Sequence, residues 1–115
     1  MAVVYVISPD WTMRIAVRAE LREMGVEVLG MDSADDAGRA IASGGFPNVI
    51  VLEATAELLG NPRILNLVHH VPSVLIASRT VEVSLPDAPA VLHRPVRVVE
   101  IVARVRELLA RDHAA

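Results

Sequence analysis

Pro47-Asn48-Val49-Ile50-Val51-Leu52-Glu53 is the stretch that decides the fold. A short, continuous run of β-branched and aliphatic residues is typical of a strand covered on both faces, as in the middle of a parallel sheet. In open α/β sheets, ligands and chemistry collect at the carboxyl ends of the strands. Because the run ends in Glu53, we expect this carboxylate to lie near the functional site.

Strand and helix patterns alternate along the rest of the chain. Ser33 has the residue type of a helix N-cap, Asn61-Pro62 that of an N-cap followed by proline, and Gly25 that of a helix C-terminus. The last helix has apolar residues at helical spacing. The alternation predicts one α/β domain, residues 1–115, with a parallel sheet and right-handed crossovers. The four other strands are predicted over residues 2–7, 26–30, 72–77 and 90–93.

The composition excludes several classes of function. The 115 residues are 53% hydrophobic, which is incompatible with disorder, and no apolar run reaches the roughly 20 residues that span a membrane. Cysteine is absent, which excludes disulfides and thiolate chemistry. All 11 cations are arginine and the net charge is -3, so we expect neither lysine chemistry nor nucleic-acid binding by this domain. We expect a cytoplasmic location.

Four segments stand out at the ends of the predicted strands. They are Ser8-Pro9-Asp10, residues 47–53, Pro72-Ser73-Val74-Leu75-Ile76-Ala77-Ser78 and His93-Arg94-Pro95-Val96. Together they resemble the receiver domain of two-component response regulators, the CheY-like family, over nearly the full length. The family has an acidic pair after strand one, a central run ending in the phospho-accepting Asp, a run ending in Thr or Ser, and Lys-Pro before the last helix. The resemblance implies a flavodoxin-like, doubly wound, three-layer fold with five parallel strands in the order 2-1-3-4-5.

The departures from the family pattern fall on the residues that would carry its chemistry. Ser8 and Pro9 align with the acidic pair, so only Asp10, one position later, keeps a charge. Glu53 stands at the phosphoacceptor position. Phosphoryl transfer to a carboxylate needs Mg²⁺, which takes hard oxygen ligands. Because Ser8 and Pro9 replace two carboxylates, we expect no magnesium in this pocket and no other cofactor. The resemblance therefore implies a vestigial phosphoacceptor pocket made of Ser8, Pro9, Asp10, Glu53, Ala77, Ser78, Arg94 and Pro95.

Two alternatives remain open at the switch position and at the charged pair. The family's Thr or Ser aligns with Ala77, or with Ser78 if the register shifts by one residue. Arg94 takes the place of the family's Lys, and its planar fork matches a carboxylate. Glu53 and Arg94 either form a pair that locks one conformation without a metal or remain two separately solvated charges. The family's Lys-Pro bond implies a cis Arg94–Pro95 peptide.

The segment between the fourth and fifth strands is shorter than in receivers by about one helix, so the resemblance implies a fourth helix that is missing or reduced. Residues 80–89 alternate like a strand at Val81, Val83 and Leu85. They either expose an apolar interface or fold down to cover the gap. The candidate interface consists of these three residues with Val99 and Arg106 on the last helix, for another protein or a second copy.

The function predicted from these residues is a non-catalytic receiver-like signalling module, a pseudo-receiver that acts by protein–protein interaction. The alternative is an active receiver phosphorylated at an atypical acidic residue. A nucleotide- or flavin-binding domain is disfavoured, because Ser8-Pro9-Asp10-Trp11 offers no glycine-rich phosphate loop. Trp11 itself either lies across the pocket or packs at the start of the first helix.

Overall fold

The computed structural model describes residues 2–79 and 90–114, with residues 112–114 described by their backbone alone. Strands and helices alternate along most of the chain, as predicted, except that two helices lie in succession between the third and fourth strands. The elements are β1 (Val3–Ile7), α1 (Trp11–Glu23), β2 (Glu27–Met31), α2 (Ala34–Ala42), β3 (Val49–Glu53), α3 (Ala56–Leu59), α4 (Pro62–His70), β4 (Ser73–Ala77), β5 (Ala90–His93) and α5 (Val98–Ala114).

The strands form one five-stranded parallel sheet in the order β2-β1-β3-β4-β5, so the predicted flavodoxin-like architecture is confirmed. All residues of β3 and of β4 are buried, in keeping with the apolar runs over residues 49–52 and 74–77 that make up most of the two strands. The prediction that a helix between β4 and β5 is missing or reduced concerns residues 80–89, which lie outside the described residues.

Helices cover both faces of the sheet, because alternate residues of each strand point to opposite sides. Val49 and Val51 of β3 pack with α1 and α5, whereas Ile50 and Leu52 pack with α2, α3 and α4. Burying one such aliphatic side chain stabilises the fold by about 1.5–3 kcal/mol relative to exposure. These two apolar layers hold the strand ends at fixed positions along one edge of the sheet.

The helix boundaries follow from capping. The side chains of Ser33 and Asn61 accept hydrogen bonds from backbone N–H groups in the first turns of α2 and α4, as predicted. Gly25 lies just after α1 with φ +79°, a backbone conformation that residues with a Cβ rarely adopt. Helix α3 was not predicted. It has four residues, capped by Thr55, and is too short to show a helical repeat in the sequence.

Candidate functional site

The carboxyl ends of three strands bring the charged residues together. Ser8 directly follows β1, Glu53 is the last residue of β3, and Arg94 directly follows β5. The parallel register aligns these ends, because Ile7 pairs with Leu52. Asp10 joins them from the turn before α1. Residues separated by up to 84 positions in the sequence thus share one pocket.

The Glu53 carboxylate is buried and bonded on both oxygens. Its Oε1 accepts from Nη2 of Arg94 at 2.5 Å and from the Ser8 hydroxyl at 3.2 Å. Its Oε2 accepts from Nε of Arg94 at 3.3 Å, so the guanidinium binds both carboxylate oxygens. Glu53 is only 8% exposed. The pair predicted as one of two alternatives is therefore present, and the alternative of two separately solvated charges is wrong.

Asp10 uses its two carboxylate oxygens for different tasks. Oδ2 accepts from Nη2 of Arg94 at 3.1 Å, whereas Oδ1 accepts from the backbone N–H of Met13 at 3.1 Å and caps α1. The N–H of Met13 is the main cause that lowers the pKa of Asp10, and the hydrogen bond and charge of Arg94 lower it further. Both effects favour the ionised carboxylate.

Arg94 therefore holds two carboxylates that come from different elements. Its hydrogen bond to Glu53 is the largest cause that raises the pKa of its guanidinium, and the contact with Asp10 adds to it. The backbone N–H of Arg94 donates to the carbonyl of Ala77 at 2.8 Å, which fixes the start of the loop after β5. The Arg94–Pro95 peptide bond is cis, as predicted.

Ser8 makes hydrogen bonds to both Glu53 and Asp10, which the sequence did not predict. Its hydroxyl donates to Glu53 and also accepts from the N–H of Asp10 at 3.0 Å. Its carbonyl accepts from Nη1 of Arg14. Ser8 is fully buried. A serine between a strand and a helix is a common sequence feature, so only the three-dimensional structure shows that it bridges Glu53 and the loop.

The other predicted pocket residues lie around this cluster. Ala77 is buried at the end of β4, where it pairs with His93, and Ser78 follows it on the exposed side. Pro9 and Pro95 are also exposed. Trp11, the first residue of α1, is 66% exposed, and both alternatives for its side chain stay predictions.

Arg94 pairs with both of the carboxylates in this pocket that could act as magnesium ligands. Magnesium needs hard oxygen ligands in near-octahedral geometry. The pocket offers two carboxylates, and each already binds the Arg94 cation, where a dication would be repelled. Among the side chains of residues 2–79 and 90–111, no group of three or more His, Cys, Asp or Glu is placed to hold a metal ion.

The predicted interface residues are only partly described. On α5, Val99 is 61% exposed and Arg106, seven residues later, is also exposed. Val81, Val83 and Leu85 lie outside the described residues.

Across the described parts of the chain, no helix is both long and apolar enough to cross a membrane.

Comparison with solved structures identifies the class of fold. A response regulator receiver protein from Burkholderia phymatum is 18% identical, with a TM-score of 0.76, and 96% of each chain is covered. The signal receiver domain of a putative Luxo repressor protein from Vibrio parahaemolyticus is 14% identical, with a TM-score of 0.76, covering 96% of this chain and 91% of that one.

A third similar structure is the receiver domain of the Francisella response regulator 1452, which is 18% identical with a TM-score of 0.74. The superposition covers 97% of this chain and 99% of that domain. No family model and no curated protein matches the chain. The chain thus has the receiver fold along nearly its whole length.

Proposed function

We propose that this chain is a receiver-like signalling module that acts through protein–protein contacts, without phosphorylation and without magnesium. The observation that carries the proposal is the state of Glu53, whose two carboxylate oxygens accept three hydrogen bonds from Arg94 and Ser8. A receiver would use this position as its phosphoacceptor. A cytoplasmic location is part of the proposal.

Phosphorylation requires a carboxylate oxygen that can attack phosphorus and a cation that offsets charge on the phosphoryl oxygens. Both requirements conflict with the contacts of Glu53. Its carboxylate is 8% exposed, and a phosphodonor could reach it only by displacing the Arg94 guanidinium. Arg94 is already shared between Glu53 and Asp10, so it is not free to bind an incoming phosphoryl group.

The same contacts favour a single conformation of the pocket. Arg94 follows β5 and ties that strand end both to β3, through Glu53, and to the start of α1, through Asp10. Bidentate, charge-assisted pairs are among the stronger hydrogen bonds in proteins. In this proposal, the Arg94 contacts take the place of a phosphorylation-dependent contact and keep the module permanently in one state.

The module would present α5 to its partner. Val99 and Arg106 are seven residues apart and therefore share one helix face, on which Ala103 and Ala110 are exposed as well. Small side chains around one apolar and one cationic residue leave a flat surface that another helix can approach. By sequence alone, Val81, Val83 and Leu85 extend the proposed surface, and the partner is another protein or a second copy of the chain.

Intact mass spectrometry after incubation with a small phosphodonor and Mg²⁺ tests the absence of phosphorylation. We expect the wild-type chain to keep its mass. The control is a Ser8→Asp/Pro9→Asp/Glu53→Asp/Arg94→Lys variant, which restores the family's acidic pair, acceptor and lysine. Stoichiometric addition of one phosphoryl group to an acidic residue of the wild type would instead establish an active receiver with an atypical acceptor.

Sedimentation over a range of concentrations tests the α5 surface. If the partner is a second copy, Val99→Glu should abolish association by placing a charge in the apolar centre of the interface. Leu65→Glu is the matched control, because Leu65 is an exposed apolar residue on α4. Association that survives Val99→Glu would contradict a second copy bound at α5. A wild-type chain that stays monomeric would likewise contradict a second copy as the partner.

A further inference from the structure

A groove between α2 and α4 lies apart from the pocket around Glu53. Its volume is about 340 Å³, which falls within the range of roughly 300–1,000 Å³ common for small-molecule sites. Ala37, Gly38 and Ile41 of α2 form one wall and Leu67 of α4 forms part of the other. Phe46 also lines the groove and is 60% exposed, which is unusual for a side chain with so much apolar surface.

Arg63 gives this apolar groove a positive charge. Its guanidinium lies against Gly38, because a Cβ at Gly38 would come within 3.2 Å of Nη1 of Arg63. Glycine inside a helix costs about 1 kcal/mol relative to alanine, and here its missing Cβ leaves room for the cation. In the described parts of the chain, no carboxylate forms an ion pair with Arg63.

The contrast with Arg94 shows why this matters. The two carboxylates of the pocket neutralise Arg94, whereas Arg63 lines a mostly apolar groove, and its guanidinium carries N–H donors that no carboxylate of the described residues occupies. A ligand that fits such a site combines a carboxylate, matched to the guanidinium fork, with an apolar body that covers the walls. The exposed ring of Phe46 favours an aromatic body, since offset or edge contacts between rings add to the burial.

We propose that the α2–α4 groove binds a small aromatic carboxylate, with Arg63 pairing with the carboxylate and Phe46 contacting the ring. The site lies between helices that pack on one face of the sheet, whereas α5 packs on the other. The inference therefore does not depend on the proposed signalling function, and the groove could bind its ligand whether or not Glu53 is phosphorylated.

Titration of the ¹⁵N-labelled chain with 2-naphthoate, followed by NMR, tests this assignment. We expect saturable shifts centred on the amides of Gly38 and Phe46. The neutral isostere 2-naphthamide and the variant Arg63→Gln should each weaken binding about fivefold, the size expected for a partly exposed charge pair. Arg39→Gln is the matched control and should bind like the wild type, because Arg39 lies on α2, is paired with Asp36 and does not line the groove.

The spectra also show whether each variant is folded, so loss of binding can be separated from loss of structure. Ala42→Leu, at an exposed position on the groove, should block binding by filling it. Absence of shifts at the groove, or equal affinity for naphthoate and naphthamide, would overturn the proposal. So would groove shifts that follow protein concentration instead of naphthoate, since the occupant would then be a second copy.

Discussion

Glu53 and Tyr5 are two buried polar side chains on neighbouring strands, and they differ in how their polar atoms are satisfied. Glu53, at the carboxyl end of β3, has hydrogen-bond partners on both oxygens. Tyr5, in the middle of β1, is fully buried, and its hydroxyl is the one buried side-chain polar atom without a partner in the described parts of the chain. An unsatisfied buried hydroxyl costs about 1–3 kcal/mol.

The polar side chains at the carboxyl end of the sheet are hydrogen-bonded to one another, whereas the hydroxyl of Tyr5 inside the sheet is left without a partner among the described residues. At the sheet edge, four residues from three separate parts of the sequence are held in one network of charge-assisted bonds. Around Tyr5 the packing is close, but no described residue accepts its proton. Burial raises the pKa of the phenol, with a further contribution from Glu27. The sheet edge is therefore the better candidate for a selected function.

Replacing Arg94 should have the largest effect. Arg94→Met leaves Glu53 buried without its cation, so we expect the free energy of unfolding to fall by about 2–3 kcal/mol, less than for a fully buried pair because the Arg94 side chain is 38% exposed. Urea denaturation measures the change. Arg97→Met is the control, since Arg97 is 81% exposed in an ion pair with Glu100, and it should change stability by less than about 0.5 kcal/mol.

A second variant separates the charge from the packing. The double variant Arg94→Met/Glu53→Met also removes the carboxylate that Arg94→Met leaves buried without a cation. It should recover most of the lost stability, because apolar side chains of similar volume replace a buried ion pair at little cost. A double variant as unstable as Arg94→Met alone would show that the unpaired carboxylate of Glu53 does not cause the loss of stability.

Gly45→Ala should have the next largest effect, through Tyr5. A Cβ at Gly45 would lie 2.6 Å from the Tyr5 hydroxyl and 3.0 Å from the carbonyl oxygen of Ala40. Such overpacking costs about 1–3 kcal/mol. In a Tyr5→Phe background the same substitution should cost less, because the clashing oxygen is gone. Equal costs in the two backgrounds, measured by thermal unfolding, would mean that the clash with Ala40 alone decides the effect.

Lowering the pH should reduce the stability of the fold through protonation of Asp10. Its pKa is lowered in the folded state, so its contribution to stability is complete above the ordinary value of 3.8 and is lost as the pH falls through the lower folded value. Asp10→Asn keeps an oxygen to cap α1 but cannot ionise. We expect the wild type to be more stable than Asp10→Asn near neutral pH and the difference to disappear on acidification. A difference that stays constant with pH would contradict the role of this charge.

Tyr5→Phe should have the smallest effect. It removes a hydroxyl that makes no hydrogen bond with the described residues, so the free energy of unfolding should stay the same or rise by up to about 1 kcal/mol. Chemical denaturation of the two proteins measures the difference. A loss of more than about 1 kcal/mol would show that the hydroxyl has a partner, such as a buried water molecule.

The sequence predicted the fold better than the site because the fold depends on local patterns. The apolar run over residues 47–53 and the caps Ser33 and Asn61 are visible within a few positions of the elements they define. The pocket depends on contacts across 41 to 84 positions. The end of the apolar run pointed to Glu53, whereas only the resemblance to receivers pointed to Arg94.

Other features left no signal in the sequence at all. The hydroxyl of Ser8 bridges Glu53 and Asp10, and Gly45 lies against Tyr5, but neither contact has a characteristic spacing. The groove at Arg63 arises from the way that α2 and α4 pack beside each other, which residue patterns within either helix do not specify.

Magnesium titration of the ¹⁵N-labelled wild type tests most directly whether Arg94 takes the place of the metal. We predict no saturable shift of the Asp10 and Glu53 amides up to millimolar Mg²⁺, because both carboxylates already bind the Arg94 cation. Arg94→Gln, which frees both carboxylates, should begin to bind the ion. Saturable binding at these amides in the wild type would contradict the account.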